Sequence, residues 1–212
     1  MKSLDQYMNT HFPGLELVPP LFYNGDIGIR FELGVNDESS NCGEGSTYLK
    51  EVDHRAITLF ETLHPQEENL VLVVNIYDYP AFKRNLRLFA SFIKSRKVLY
   101  QLKHTQIRDV FTEKDQETEH KTHRFILSCK TKDIRYQKLI KAICRQDLGI
   151  RPFMEHDVFF IHQKNHTIFR VYDDRGCDVV AASTEAIRPL YENYQSWILD
   201  YDRAEIDATF KK

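Results

Sequence analysis

Thr167-Ile168-Phe169-Arg170-Val171-Tyr172-Asp173-Asp174-Arg175-Gly176-Cys177-Asp178-Val179-Val180-Ala181-Ala182 is the stretch on which the fold turns. Two runs rich in β-branched and aromatic residues flank Asp173–Gly176, a tetrad with the composition a tight turn requires. Upstream, Val158–His162 and the polar turn Gln163–His166 add a third strand, so the segment predicts an antiparallel meander. Leu70–Val74 is apolar at every position, as a strand covered on both faces must be. Arg124–Cys129 is a further strand. Leu21-Phe22-Tyr23, then Asn24-Gly25-Asp26, then Ile27–Gly34 predicts a hairpin, because Asn-Gly readily takes the positive φ of a type I′ turn.

Helical spacing alternates with these strands. Leu49, Val52, Ala56, Ile57, Phe60 and Leu63 predict a helix over Tyr48–His64, stopped by Pro65. Leu86, Phe89 and Ile93 predict a second over Phe82 to Lys97. Tyr136, Leu139, Ile140, Ile143 and Cys144 predict a third over Ile134–Leu148, with Gly149 as its C′ residue. Ser183 or Thr184 caps the last helical region, and Pro189 kinks it or starts a new helix. The expected class is α+β, with a mixed, largely antiparallel sheet and packed helices. Asn75–Tyr79 and Arg170–Asp174 echo one another. That echo suggests a strand–helix–strand–helix repeat in halves of about 15–108 and 123–212, joined by the polar linker 109–122.

The chain has 212 residues, a formal net charge of −2 and 42% hydrophobic residues, which excludes disordered, collagen-like and coiled-coil classes. No apolar run approaches the ~18 residues of a membrane span. No apolar segment follows Lys2, so no signal peptide is expected. Cys42, Cys129, Cys144 and Cys177 form no C-x-x-C pair and suit a reduced, cytoplasmic setting. The small net charge hides strong segregation. Residues 1–80 carry −9, 81–108 carry +8, 109–119 carry −4, 120–146 carry +7 and 147–212 carry −4. Such a chain pairs its own charges or presents a basic face to an acidic partner.

Two clusters hold the candidate chemistry. Asp173, Asp174, Arg175 and Asp178 offer hard oxygen ligands to a divalent cation, or simply build a turn. Trp197, Asp200, Asp202 and Arg203 offer the residue types of a protein-binding hot spot, or a helix end packed on Trp197, Ile198 and Tyr201. Lys83, Arg84, Arg87, Lys138, Lys141 and Arg145 compose a basic face able to follow a phosphate backbone, or a solvated surface. His120, His123 and Cys129 lack a recognised zinc spacing, and no metal site or cofactor is expected. No P-loop, GxGxxG, HExxH or serine elbow occurs in the sequence.

Four stretches carry a family resemblance: Pro20–Asn24 with Gly28–Gly34; Arg55–Glu61; Leu139–Cys144 with Gln146–Gly149; and Tyr172–Asp178 through Leu190-Tyr191-Glu192 to Trp197–Arg203. Together they resemble a family of Gram-positive bacteria called domain of unknown function 3885. The resemblance implies a bacterial, cytosolic protein and brings no catalytic residues with it. The expected function is a non-enzymatic protein-binding module, of the immunity type that neutralises a toxin or effector, with a protein partner and no membrane. The alternative is a nucleic-acid-acting or metal-dependent enzyme built on Asp173, Asp174 and Asp178.

Overall fold

The computed structural model describes residues 3–35, 43–65, 67–77, 87–111 and 120–211. A sheet of seven antiparallel strands forms its centre: β1 (Gly28–Glu32), β2 (Asn69–Tyr77), β3 (Lys103–Arg108), β4 (Lys121–Lys130), β5 (Asp157–His162), β6 (Thr167–Val171) and β7 (Gly176–Ala181). Their spatial order is β1-β7-β6-β5-β2-β4-β3. The meander stands as the sequence predicts. Val171 faces Cys177 across its last turn, and the Tyr172 amide donates to the Gly176 carbonyl at 3.2 Å. A side chain at Gly176 would meet the Phe31 carbonyl at 2.6 Å, so only glycine lets β1 approach the turn. Strand β2 is central, and all of Leu70–Ile76 is buried between β5 and β4.

Alternation assigns each strand two faces. On the first, Phe31, Leu72, Phe125, Phe160, Phe169 and Val179 meet three helices: α3 (Thr47–Leu63), α6 (Tyr136–Cys144) and α7 (Thr184–Asn193). The Ser46 hydroxyl caps α3 by accepting from the Leu49 amide at 3.1 Å. On the second face, Val71, Val73, Phe159, Ile161, Ile168 and Val180 meet Tyr7 and Met8 of the helix α1 (Leu4–His11), together with Phe12, Leu17 and Leu21. A reciprocal capping box between Ser3 and Gln6 starts α1.

Several local expectations are corrected. The hairpin at Asn24–Gly25 does not form. Leu21–Asn24 is a helical turn, α2, and Gly25 has an extended φ of −102°. The pressure at Gly25 is tertiary, because a Cβ there would sit 2.7 Å from Val180. β1 pairs instead with β7, 152 residues away at Gly28↔Val180, a pairing that no local turn signal encodes. Of the helix expected over Phe82–Lys97, residues 82–86 lie outside the described residues. The rest is two short turns, α4 (Arg87–Ala90) and α5 (Arg96–Leu99), separated where Ile93 bridges Ile134. Helix α6 ends at Cys144 rather than Leu148, and Gly149, with φ +66°, closes the turn beyond it. Pro189 lies inside α7.

Residues 112–119 of the expected linker lie outside the described residues, but the segment joins β3 to β4, which pair from Arg108↔Lys121 onward. Strands from both expected halves interleave in the one sheet. At the opposite edge, Ile198 bridges Phe31 and the Leu199 amide donates to the Arg30 carbonyl at 2.9 Å. This contact covers β1 and seats the last helix, α8 (Arg203–Phe210).

Candidate functional site: a charged ribbon across the sheet

Register places six polar residues from six strands on the second face. Arg30 of β1 faces Asp178 of β7, which faces Arg170 of β6. Arg170 reaches Asp157 of β5 at 2.7 Å. Asp157 faces Asn75 of β2, and Asn75 faces Arg124 of β4. Charge therefore alternates along the ribbon until the neutral Asn75 and the terminal Arg124.

The chain between Leu17 and Tyr23 is tied along this ribbon at several points. The Leu17 carbonyl accepts from Asn75 Nδ2 at 2.8 Å and from Arg124 Nη2 at 3.2 Å. The Phe22 amide donates to Asp178 Oδ2 at 3.3 Å. The Tyr23 hydroxyl donates to Asp202 Oδ1 at 2.9 Å and accepts from Arg30 Nη1 at 2.8 Å.

The ribbon's first end is loosely paired. Arg30 Nε lies 3.6 Å from Asp178 Oδ1, and Arg30 Nη1 lies 3.5 Å from Asp202 Oδ2. Arg30 Nε, Asp178 Oδ1, Asp202 Oδ2 and Arg170 Nε are buried with no hydrogen-bond partner. Burial pushes the Asp178 carboxyl above its usual range, against the pull of Arg170 and Arg30. The Arg30 guanidinium also lies over the Tyr23 and Tyr172 rings, at 5.2 and 5.1 Å.

The structure divides the candidate residues. Asp178 and Asp202 share Arg30 in the ribbon, whereas Asp173, Asp174 and Arg175 form a separate group at the hairpin tip. Asp173 Oδ1 accepts from the Arg175 amide at 2.7 Å, and its other oxygen pairs with the Arg175 guanidinium. Asp174 accepts at 2.6 Å from the Tyr48 hydroxyl of α3, on the side of the first face. Trp197 lies apart again, stacked on Tyr194 at 4.7 Å and under the Arg55 guanidinium at 5.1 Å. Asp200 pairs with Arg203 at 2.8 Å in an exposed ion pair three residues apart. Tyr201, expected to pack the core, is 86% exposed; Ile198 and Asp202 are the buried residues of that segment.

Two residues of the basic face, Lys141 and Arg145, are neutralised by the acidic N-terminal part. Arg145, with its side chain 5% exposed, pairs with Asp53 and Glu44, both at 2.8 Å. Lys141 reaches Asp53 at 3.2 Å, and Lys138 lies 5.8 Å from the Phe92 ring centre. Arg87 opens α4, while Lys83 and Arg84 lie outside the described residues. His123 contacts His104 at 2.8 Å. Among the described residues no group of three or more His, Cys, Asp or Glu side chains is arranged to hold a metal ion, and no helix is long and apolar enough to cross a membrane.

Sequence reasoning missed Arg30, Arg170, Asp157, Asn75 and Arg124 as a set. Their local signal was a polar residue at an inward strand position, which becomes meaningful only once strands are paired.

No solved structure matches the chain. A curated relative, "Uncharacterized protein YnaE" of Bacillus subtilis (strain 168), is 31% identical over 210 residues, covering 94% of this chain and 98% of the relative. The family described as "Domain of unknown function (DUF3885)" matches residues 4–202, which include every strand, the ribbon and both acidic groups. The chain belongs to that family.

Proposed function

We propose that this protein is a non-enzymatic binding module of the bacterial cytoplasm. Its partner is a protein, as for immunity proteins that neutralise a toxin or effector. The observation that carries the reading is the pairing of exposed aromatics with an immobilised ionic base. Tyr201 is 86% exposed and Tyr23 48% exposed, and they flank Asp202, which Arg30 and Tyr23 hold in place. A rigid tyrosine presents large contact area at low entropic cost, which is what a protein hot spot uses. The candidate acids Asp173, Asp174, Asp178 and Asp202 are each engaged by side chains of the same fold. Pairing of Arg145 and Lys141 with Asp53 and Glu44 also weakens the case for a polyanion.

A photo-crosslinking residue at position 201, expressed in the native host, tests the reading against the same residue at the exposed Lys132. A discrete protein adduct formed from position 201 and absent from position 132 supports it. Adducts of equal yield at both positions, or tight and salt-sensitive gel-shift binding to nucleic acid, overturn it.

A further inference from the structure

We propose that the turn between β5 and β6 is an acid-sensitive latch for α1: protonation of its two histidines, His162 and His166, opens the turn and frees the helix. The turn is closed through an imidazole nitrogen. His162 Nδ1 accepts from the Asn165 amide at 3.1 Å, across Gln163–His166. An amide only donates, so this bond requires a Nδ1 that carries no proton. His162 is buried, and its Nε2 has no hydrogen-bond partner among the described residues. A protonated His162 therefore loses the bond that closes the turn and becomes a buried charge with nothing to offset it.

His166 carries the link to α1. It is the one non-glycine residue among those described with a positive φ, +52°, and its carbonyl accepts from the Ala182 amide at 3.0 Å. Its ring stacks on that of His11 with centres 3.7 Å apart, and its Nδ1 lies 3.1 Å from the Tyr7 hydroxyl. Two protonated rings in that stack repel one another. Helix α1 buries only Tyr7 and Met8 of its eight residues, so the loss of this contact weighs heavily on its seat. A freed α1 uncovers the apolar strip of Val73, Phe159, Ile161 and Ile168.

The charged and titratable groups around the two rings do not cancel the effect. Tyr7 and His11 come from α1, Lys164 from the turn itself, and His64, whose ring centre is 5.7 Å from that of His162, from the end of α3. Glu68, before β2, is the one carboxylate acting on His162, and Lys164 engages it at 2.8 Å. Burial holds both rings below the ordinary imidazole range, aided at His166 by His11 and opposed at His162 by Glu68. A base held low in the folded state keeps its contacts above about pH 6.5 and loses them as the pH falls. The latch does not rest on the protein-binding reading.

Amide hydrogen exchange of the full chain, corrected for the intrinsic effect of pH, tests the latch. Between about pH 7.5 and about pH 5.5, the amides of α1 and of Asn165 are expected to lose roughly tenfold or more in protection relative to those of β2. His162→Asn with His166→Asn keeps an oxygen acceptor near each Nδ1 position, suits the positive φ and removes both titrations. In that variant the protection of α1 is expected to stay level with that of β2 across the same range. Should it fail to fold, ring-proton NMR of the unaltered chain decides: His162 and His166 are expected to take up protons over the range in which α1 loses protection. A loss at α1 that only follows β2, that persists in the double variant, or that falls outside the titration of both rings would overturn the latch.

Discussion

The two faces of the sheet solve different problems with the same strands. The first packs Phe60 of α3 against Phe160 and Phe169 at ring-centre distances of 5.0 and 5.8 Å, and against Tyr136 at 4.7 Å. Its stability comes from burying apolar surface, which is non-directional and tolerant of small shifts. The second face is apolar only beneath α1 and its following loop. Elsewhere it carries Arg30, Asp178, Arg170, Asp157, Asn75 and Arg124, whose attraction depends on placement and on being fully paired. The contrast teaches that the first face holds the sheet together, while the second positions the chain from Leu17 to Tyr23 and the segment after Ile198.

Breaking the first face has the largest expected effect. Phe60→Ala removes a fully buried ring and leaves a cavity, and should cost about 3–5 kcal/mol in urea unfolding. A loss below about 1 kcal/mol would mean that this face repacks and is not the main source of stability.

Next comes the ribbon. Asp178→Ala leaves Arg30 and Arg170 facing a gap and should cost about 3 kcal/mol, the penalty of breaking a buried ion pair from one side. Removing the neighbouring charges together, Arg30→Met with Asp178→Leu and Asp202→Asn, should cost less than Asp178→Ala alone, because no buried charge then lacks its partner. If the single and triple variants are equally destabilised, the ribbon acts by shape and not by charge.

A pH-dependent effect, smaller than these for each unit of pH, sharpens the first face further. Burial pushes His64 down to about 3, where it stacks on Phe60 at 4.4 Å and contacts the Phe60 carbonyl at 3.1 Å through Nδ1. The unfolded imidazole takes a proton near pH 6.5 and the folded one does not. Stability should therefore fall as pH drops from about 6.5 towards 3, by up to about 1.4 kcal/mol per pH unit for this one proton. Unfolding midpoints across that range should show a shallower acid slope in His64→Gln; an unchanged slope would remove His64 from the account.

The smallest effect is expected outside both faces. Tyr201→Ala should change stability by no more than about 0.5 kcal/mol, because the ring is exposed. A larger loss, measured by thermal unfolding, would make Tyr201 a structural residue and remove the premise of its use as a contact.

Particular residues separate what was legible from what was not. Helix α3 was readable because Leu49, Val52, Ala56, Phe60 and Leu63 repeat at helical spacing, and Pro65 follows. Helix α1 was not anticipated, because it has too few apolar positions to announce a core helix. The Asn24–Gly25 signal misled because the packing of Val180 against Gly25 and the β1–β7 register outweighed a local turn preference. In the candidate site, Asp178 and Asp202 stood out by their acidic neighbours, yet nothing local linked them to Arg30.

Local physics in the chain itself determined the α+β class, the meander and its Asp173–Gly176 turn, and the buried character of β2. Each rests on near-neighbour periodicity and turn chemistry. The strand order, the burial of Asp178 and Asp202 around Arg30, and the exposure of Tyr201 were decided only in three dimensions. The physical reason is register. A strand residue at an inward position is an isolated polar residue until antiparallel pairing sets it beside its counter-charge, and residues 30, 75, 124, 157, 170 and 178 meet in one row only when six strands have closed into a sheet.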